Sequence, residues 1–366
     1  MENIPKMRVN EVIDKLSYSY DKLVKGLLPL KTMPSVMLWG APGIGKSQLV
    51  KQLATSLSER TLKRVNVIDV RLILFNPVDL RGIPTANAEK TLAVWLKPKI
   101  FDMDESKGVI NILFLDEISA APQSVQAAAY QITLDRVIGE HKLPDNCIVI
   151  AAGNRVTDKS VAYKMPRALA NRLLHIEVVP DFNSWRDWAI RSGINQKVIG
   201  FLSFKQNYLC ETDLSTDDVA YTTPRTWEMV SNILNNVSDD VVFAYPLISG
   251  LVGSGIASEF RAWCNIYAEL PDVDKIFKGI SQPVPKNNDR LYALVSSMIA
   301  HARENQRDMK GIENSIEYSF LLPPDYSAVL IKGYHSISKD FKNRLMTLPA
   351  YIKWMEKRGK LLNGNL

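Results

Sequence analysis

The chain has 366 residues, 46% of them hydrophobic and 23% charged, with a formal charge of +6. That is the balance of a globular chain of two or three domains. No run of about eighteen apolar residues occurs, so no membrane-spanning helix is predicted. The opening MENIPKMRVNEVIDKL lacks an apolar h-region, which predicts no secretory signal. The three cysteines, Cys147, Cys210 and Cys264, lie far apart and form no CxxC pair. Their spacing argues against a zinc site and a disulfide framework and suits a reducing, cytoplasmic setting.

In chain order, Val9, Val12, Ile13, Leu16, Tyr20, Leu23, Val24 and Leu27 recur at helical spacing and predict an amphipathic helix. The apolar run Val36–Trp39, ended by Gly40, predicts a buried strand, and a helix follows over Lys46–Leu57. Strands are predicted at Val67–Val70, Val109–Leu115, Ile148–Ala152 and His175–Val179, with a helix over Ala120–Leu134. Strands alternating with helices imply an α/β fold with a parallel sheet covered on both faces. Beyond Pro180 the pattern turns helical: Phe182–Ile190, Val198–Tyr208, Thr226–Asn235 and Leu251–Leu270. The stretch Pro271–Asn288, rich in Pro, Lys and Asp, reads as a connection to further, mostly helical sequence. The expected domains are therefore a core over 1–180, a helical domain over 181–275 and a mostly helical region of unknown role over 276–366.

Three motifs carry chemistry. Gly40, Ala41, Pro42, Gly43, Ile44, Gly45, Lys46 and Ser47 fill the pattern G-x-x-x-x-G-K-S/T, directly after a predicted strand and opening a helix. Glycines let successive backbone N–H groups turn inward as an anion nest, and the helix dipole adds to it. Lys46 is expected to reach the β- and γ-phosphates of ATP, and Ser47 to give its hydroxyl to Mg²⁺. The second motif, Asn111–Glu117, is an apolar strand ending in two acids. The strand would hold Asp116 at the C-terminal edge of the sheet, where ligands of open α/β sheets bind. Asp116 is expected to hold Mg²⁺ through its water shell, and Glu117 to orient and polarise the attacking water. Third, Ala151–Asn154 ends the next strand, so that the Asn154 amide would reach the γ-phosphate and help place that water; Asn after Gly is also ordinary turn chemistry.

Together with Thr222-Thr223-Pro224-Arg225-Thr226-Trp227, these motifs resemble an AAA+ ATPase, and more narrowly the MoxR family. The resemblance covers about residues 30 to 230. It implies a P-loop αβα core with a helical lid over 181–275, ATP lying between them. It matches Arg225 to the sensor 2 arginine reaching back from the lid. It carries the arginine finger to Arg172, which would point into a neighbouring subunit's site, with Arg167 on the same predicted helix as the alternative. Asn76–Pro84 resembles the stretch leading into the family's helix-2 insert, and Arg136–Pro144 its hairpin before sensor 1. A ring homo-oligomer, a hexamer, is implied, working as a chaperone-like remodeller on a client protein, with a separate von Willebrand A-domain protein as a partner.

Two other readings compete. A nucleic-acid motor or loader is the main alternative. It draws on the hairpin near Arg136–Lys142 and on the basic end, where Lys342, Arg344, Lys353, Lys357, Arg358 and Lys360 outnumber Glu356. The bland reading of that end is a solvated helix face. A small-molecule phosphotransferase is disfavoured by the Asp-Glu pair. The four histidines, His141, His175, His301 and His335, show no metal spacing and are read as structural. Trp185, Trp188, Trp227, Trp263 and Trp354 are read as core or interface. Asp213-Leu-Ser215-Thr-Asp217 breaks the D-x-S-x-S metal motif at Asp217 and is set aside.

Overall fold

The computed structural model describes residues 4–155, 165, 170–211, 219–268 and 270–362. They form two compact units: residues 1–188 with 210–217 and 223–226, and residues 189–209 with 218–222 and 227–366. Arg167 and the Asp213–Asp217 segment lie outside the described residues.

The first unit is built on six parallel strands. They run Lys6–Arg8 (β1), Val36–Trp39 (β2), Arg64–Arg71 (β3), Val109–Asp116 (β6), Cys147–Gly153 (β9) and Leu174–Val179 (β10). Across the sheet their order is β1-β10-β2-β9-β6-β3. Every residue of β2, β6 and β9 is buried, as expected of central parallel strands covered on both faces. The pleat sorts their side chains cleanly. Val36, Leu38, Ile112, Phe114, Ile148 and Ile150 join helices α1 (Val9–Lys25) and α2 (Lys46–Thr61) in one core. Met37, Trp39, Leu113, Leu115, Val149 and Ala151 join helix α4 (Gln123–Asp135) in the other.

The Asn76–Pro84 stretch holds helix α3 (Pro77–Arg81) and enters an antiparallel hairpin of β4 (Ile83–Ala86) and β5 (Ala93–Leu96). Asn76 and Asp79 form a reciprocal capping box at the start of α3. The Arg136–Pro144 stretch is the small hairpin of β7 (Val137–Ile138) and β8 (His141–Lys142). The two hairpins meet where the His141 ring nitrogen lies 2.8 Å from the Trp95 carbonyl. At the N-terminal edge of the sheet, three asparagines form a ladder across β3, β6 and the approach to β9. Asn66 Nδ2 donates to Asn111 Oδ1 at 3.4 Å, and Asn111 Nδ2 donates to Asn146 Oδ1 at 3.2 Å and to the Asp104 carbonyl at 2.8 Å.

The second unit is helical among its described residues. Phe201 sits at the centre of an aromatic group, with ring centroids 5.5 Å from Trp227, 5.2 Å from Phe260 and 6.0 Å from Trp263. A separate core gathers helices from Val273 to Arg358 around Trp354 and Tyr334, both fully buried. There Trp354 Nε1 donates to Ser327 Oγ at 2.6 Å. The basic end is engaged locally. Lys353 pairs with Glu317, Arg344 with Asp340, and Arg358 donates to the carbonyls of Ser319, Phe320 and Leu322. This is charge placed where helix ends expose carbonyls.

Several elements differ from the expectation. The predicted helix Leu251–Leu270 runs as Ser254–Ala268, starting after Gly253 at φ +83°, and the helix before it, Val241–Val252, has no predicted counterpart. The helix over Val198–Tyr208 stops at Phe204 and continues as a 3-10 turn over Gln206–Leu209. Pro122 delays α4 to Gln123. Strand β1 has no counterpart among the predicted strands. No described helix is long and apolar enough to cross a membrane.

Candidate functional site

The site lies at the C-terminal edge of the parallel sheet, where β2, β6 and β9 end side by side. Register aligns Trp39 with Gly153 and Leu115 with Ala151, so the residues just beyond each strand come together. After Trp39 the chain enters the glycine-rich loop, in which Gly43 has φ +77° and Gly45 φ +99°. These left-handed conformations turn the loop's N–H groups toward a common centre at the start of α2. A Cβ on Gly43 would lie 2.8 Å from Thr223 Oγ1, so this glycine also lets a second segment approach the loop.

Lys46, the first residue of α2, is buried. Its ammonium donates to the Gly40 carbonyl at 2.6 Å, the Ala41 carbonyl at 3.0 Å and Asn154 Oδ1 at 2.9 Å. A buried cation requires such acceptors, and here they come from the first and third motifs at once. Ser47 Oγ donates to Asp116 Oδ2 at 2.8 Å, joining the first motif to the second. Asp116 accepts the Glu117 N–H through its other oxygen at 2.9 Å. Glu117, partly exposed, adopts φ +60° in a turn closed by the Ala120 and Ala121 N–H groups on its carbonyl.

The residues present fit a nucleotide with its metal. The loop around Gly45 leaves open space where a Cβ would stand, with no heavy atom within 4 Å. Beside it, a hydroxyl and a carboxylate oxygen lie 2.8 Å apart, hard donors of the kind Mg²⁺ takes. Asp69, on β3 beside Asp116's strand, is held above the usual carboxylate range, first by desolvation and then by the Asp116 charge, against the pull of Arg71 and Lys51.

The two predicted arginines are exposed. Arg172 lies in the turn before β10, and Arg225 in the first turn of the helix Pro224–Asn236. Neither forms an ion pair with another described residue. The Arg225 segment is anchored near the loop by Thr223, which packs on Gly43. Thr223 caps the helix reciprocally with Thr226, its Oγ1 accepting the Thr226 N–H at 3.1 Å while its own N–H donates to Thr226 Oγ1 at 2.8 Å.

Sequence reasoning missed two supports. Ser119 Oγ accepts the Asn154 N–H at 2.9 Å and so fixes the residue that meets Lys46. Arg155 forms a 2.5 Å ion pair with Glu177, which is buried on β10. No local pattern marks Ser119; an acid in the apolar strand Leu174–Val179 is the one sign that Glu177 needs a partner.

No curated protein sequence matches the chain. Among solved structures, a Cytophaga hutchinsonii protein described as a candidate ATPase is 18% identical, with 84% of this chain and 83% of that one covered and a TM-score of 0.33. A mutant of Thermotoga maritima RuvB is 17% identical, with 81% and 84% covered and a TM-score of 0.35. Neither likeness bears on function. The segment that holds β2, the glycine-rich loop, β6 and β9 is the informative one: residues 35–175 match the family described as the ATPase family associated with various cellular activities (AAA).

Proposed function

We propose that the chain is a MoxR-like AAA+ ATPase that hydrolyses ATP in a ring homo-oligomer, a hexamer, and uses the cycle to remodel a client protein. The observation that carries this reading is the meeting of three separate motifs at one sheet edge, Lys46 with Asn154 at 2.9 Å and Ser47 with Asp116 at 2.8 Å. In the proposed mechanism the loop Gly40–Ser47 cradles the phosphates, and Lys46 exchanges the loop carbonyls for phosphate oxygens. Mg²⁺, held by Ser47 and Asp116, would neutralise charge on the β- and γ-phosphate oxygens. Glu117 accepts a proton from the attacking water, and Asn154 orients that water. Arg225 acts on the γ-phosphate of its own subunit. Arg172 supplies positive charge to the neighbour's site, a role worth roughly 10³–10⁵ in rate where arginine fingers have been measured. Arg167 is the alternative finger. The helical lid over 181–275 and the region 276–366 would transmit the nucleotide state to a client, with a von Willebrand A-domain protein as a candidate partner and the cytoplasm as the setting.

The nucleic-acid alternative is the less favoured reading, since three of the six cations at the basic end, Arg344, Lys353 and Arg358, have partners within the chain. The test is turnover against protein concentration, together with the mass of Glu117→Gln in ATP by light scattering. Specific activity that rises with concentration and a mass of several subunits are expected. A monomeric mass with concentration-independent turnover would remove the ring.

A further inference from the structure

Trp39 is the last residue of β2 and immediately precedes Gly40. Its indole N–H donates to Nδ1 of His175 at 2.9 Å, and the two rings lie edge to edge, with centroids 6.0 Å apart and planes only 16° apart. An indole nitrogen can only donate, so Nδ1 is the acceptor and the imidazole carries its proton on Nε2. That nitrogen lies 2.7 Å from the Ala170 carbonyl and therefore donates to it. The same carbonyl accepts the Leu173 N–H at 3.3 Å. One oxygen thus closes the turn Ala170–Leu173, which holds Arg172, and ties it to β10. Leu173 pins the far end of the turn in the core shared with Trp39. The two bonds fix the tautomer and make His175 a spacer between the start of the phosphate loop and the turn bearing Arg172.

We propose that His175 is a positioning residue for the finger. It holds the turn so that Arg172 is presented to the neighbouring subunit, and through Trp39 it sets that presentation against the chain's own phosphate loop. The proposal rests on the reading of Arg172 as a finger acting in trans. Its signature is that losing His175 damages the neighbour's site and leaves the subunit's own site intact.

The experiment uses the full chain and three variants. His175→Phe keeps a ring against Trp39 and removes both hydrogen bonds. His175→Gln keeps a donor for the Ala170 carbonyl. Arg172→Ala is the reference. Each is assayed alone for ATP affinity and kcat, then mixed with Lys46→Ala, which lacks the binding cation but retains His175 and Arg172. His175→Phe is expected to bind ATP within about twofold of the parent while kcat falls roughly 10- to 100-fold, the effect of a small misplacement of a reacting group. Its activity should recover on mixing, as that of Arg172→Ala should, with His175→Gln intermediate. Recovery by Arg172→Ala but not by the His175 variants would place the defect in the subunit's own site and overturn the proposal while leaving the trans finger standing. An unchanged kcat in His175→Phe would overturn it equally. Absence of recovery with Arg172→Ala would remove the trans finger and the proposal with it. Should His175→Phe fail to fold, His175→Gln decides by the same comparison.

Discussion

Glu117 concentrates the tension between stability and chemistry in one residue. Its φ of +60° puts a Cβ-bearing residue in the left-handed region, at about 1–2 kcal/mol relative to the right-handed one. Arg136 and Leu62 do the same at the ends of α4 and α2, where a helix has to stop. Glu117 does it one residue after a fully buried strand, where glycine would be the unstrained choice. Strain retained at such a point is expected where the side chain is needed. Two substitutions separate the effects. Glu117→Gln should bind ATP normally and lose turnover by roughly 10²–10⁴, the usual contribution of a general base. Glu117→Gly should lose turnover as fully, yet unfold at the same temperature as the parent or higher, because the strain is relieved. A thermal melt lowered by several degrees in Glu117→Gly would contradict the strain argument, and near-parent turnover in Glu117→Gln would take the residue out of the chemistry.

Among the elements, those set by apolar periodicity and punctuated by Gly or Pro are legible in the sequence. Strands β2, β6 and β9, helices α1 and α2 and the three motifs at their ends all fall within a few residues of expectation, because burial on two faces leaves an unbroken apolar run. Each miss has its own physical cause. Strand β1 is three residues long, Lys-Met-Arg, and exists only because β10 offers it an edge. The helix Val241–Val252 contains Pro246 and carries exposed Val242, Phe243 and Leu247, so its pattern has no polar face to read. Partnerships between distant side chains leave little local trace: Arg155 with Glu177 shows only as an acid in an apolar strand, and Trp39 with His175 not at all. The asparagine ladder is of this kind. Asn111 is fully buried, and its amide satisfies a carbonyl and a second amide at the edge opposite the site. Asn111→Ala strands those partners and should destabilise the first unit by about 1–3 kcal/mol in denaturant unfolding. ATP affinity should stay at the parent value, and a weakened affinity at full stability would show the ladder to be coupled to the loop.

At the scale of the whole chain, the cysteines offer a readout for each unit. Burial pushes the Cys147 and Cys210 thiols up to about 11 and the Cys264 thiol up to about 12. Cys147 and Cys210 belong to the first unit and Cys264 to the second. Only the thiolate reacts, so at pH 8 the native chain should be alkylated slowly at all three positions. Labelling should rise toward the rate of a free thiol as pH approaches 11 or as a unit opens. Rapid modification of any one of them at pH 8 in the native protein, followed by mass spectrometry, would contradict the burial described. Strand β1 has a different consequence, one for handling the protein. Lys6–Arg8 pairs with Glu177–Val179, and Pro5 adds a carbonyl for the Glu177 N–H at 2.9 Å. Cutting the chain back to Val9 would take away those partners and leave β10 as a bare strand edge, a template on which another chain could add itself. A shortened version made to isolate the nucleotide-binding unit would thus be prone to aggregate, and Ile4–Arg8 belong in any such fragment as its edge guard.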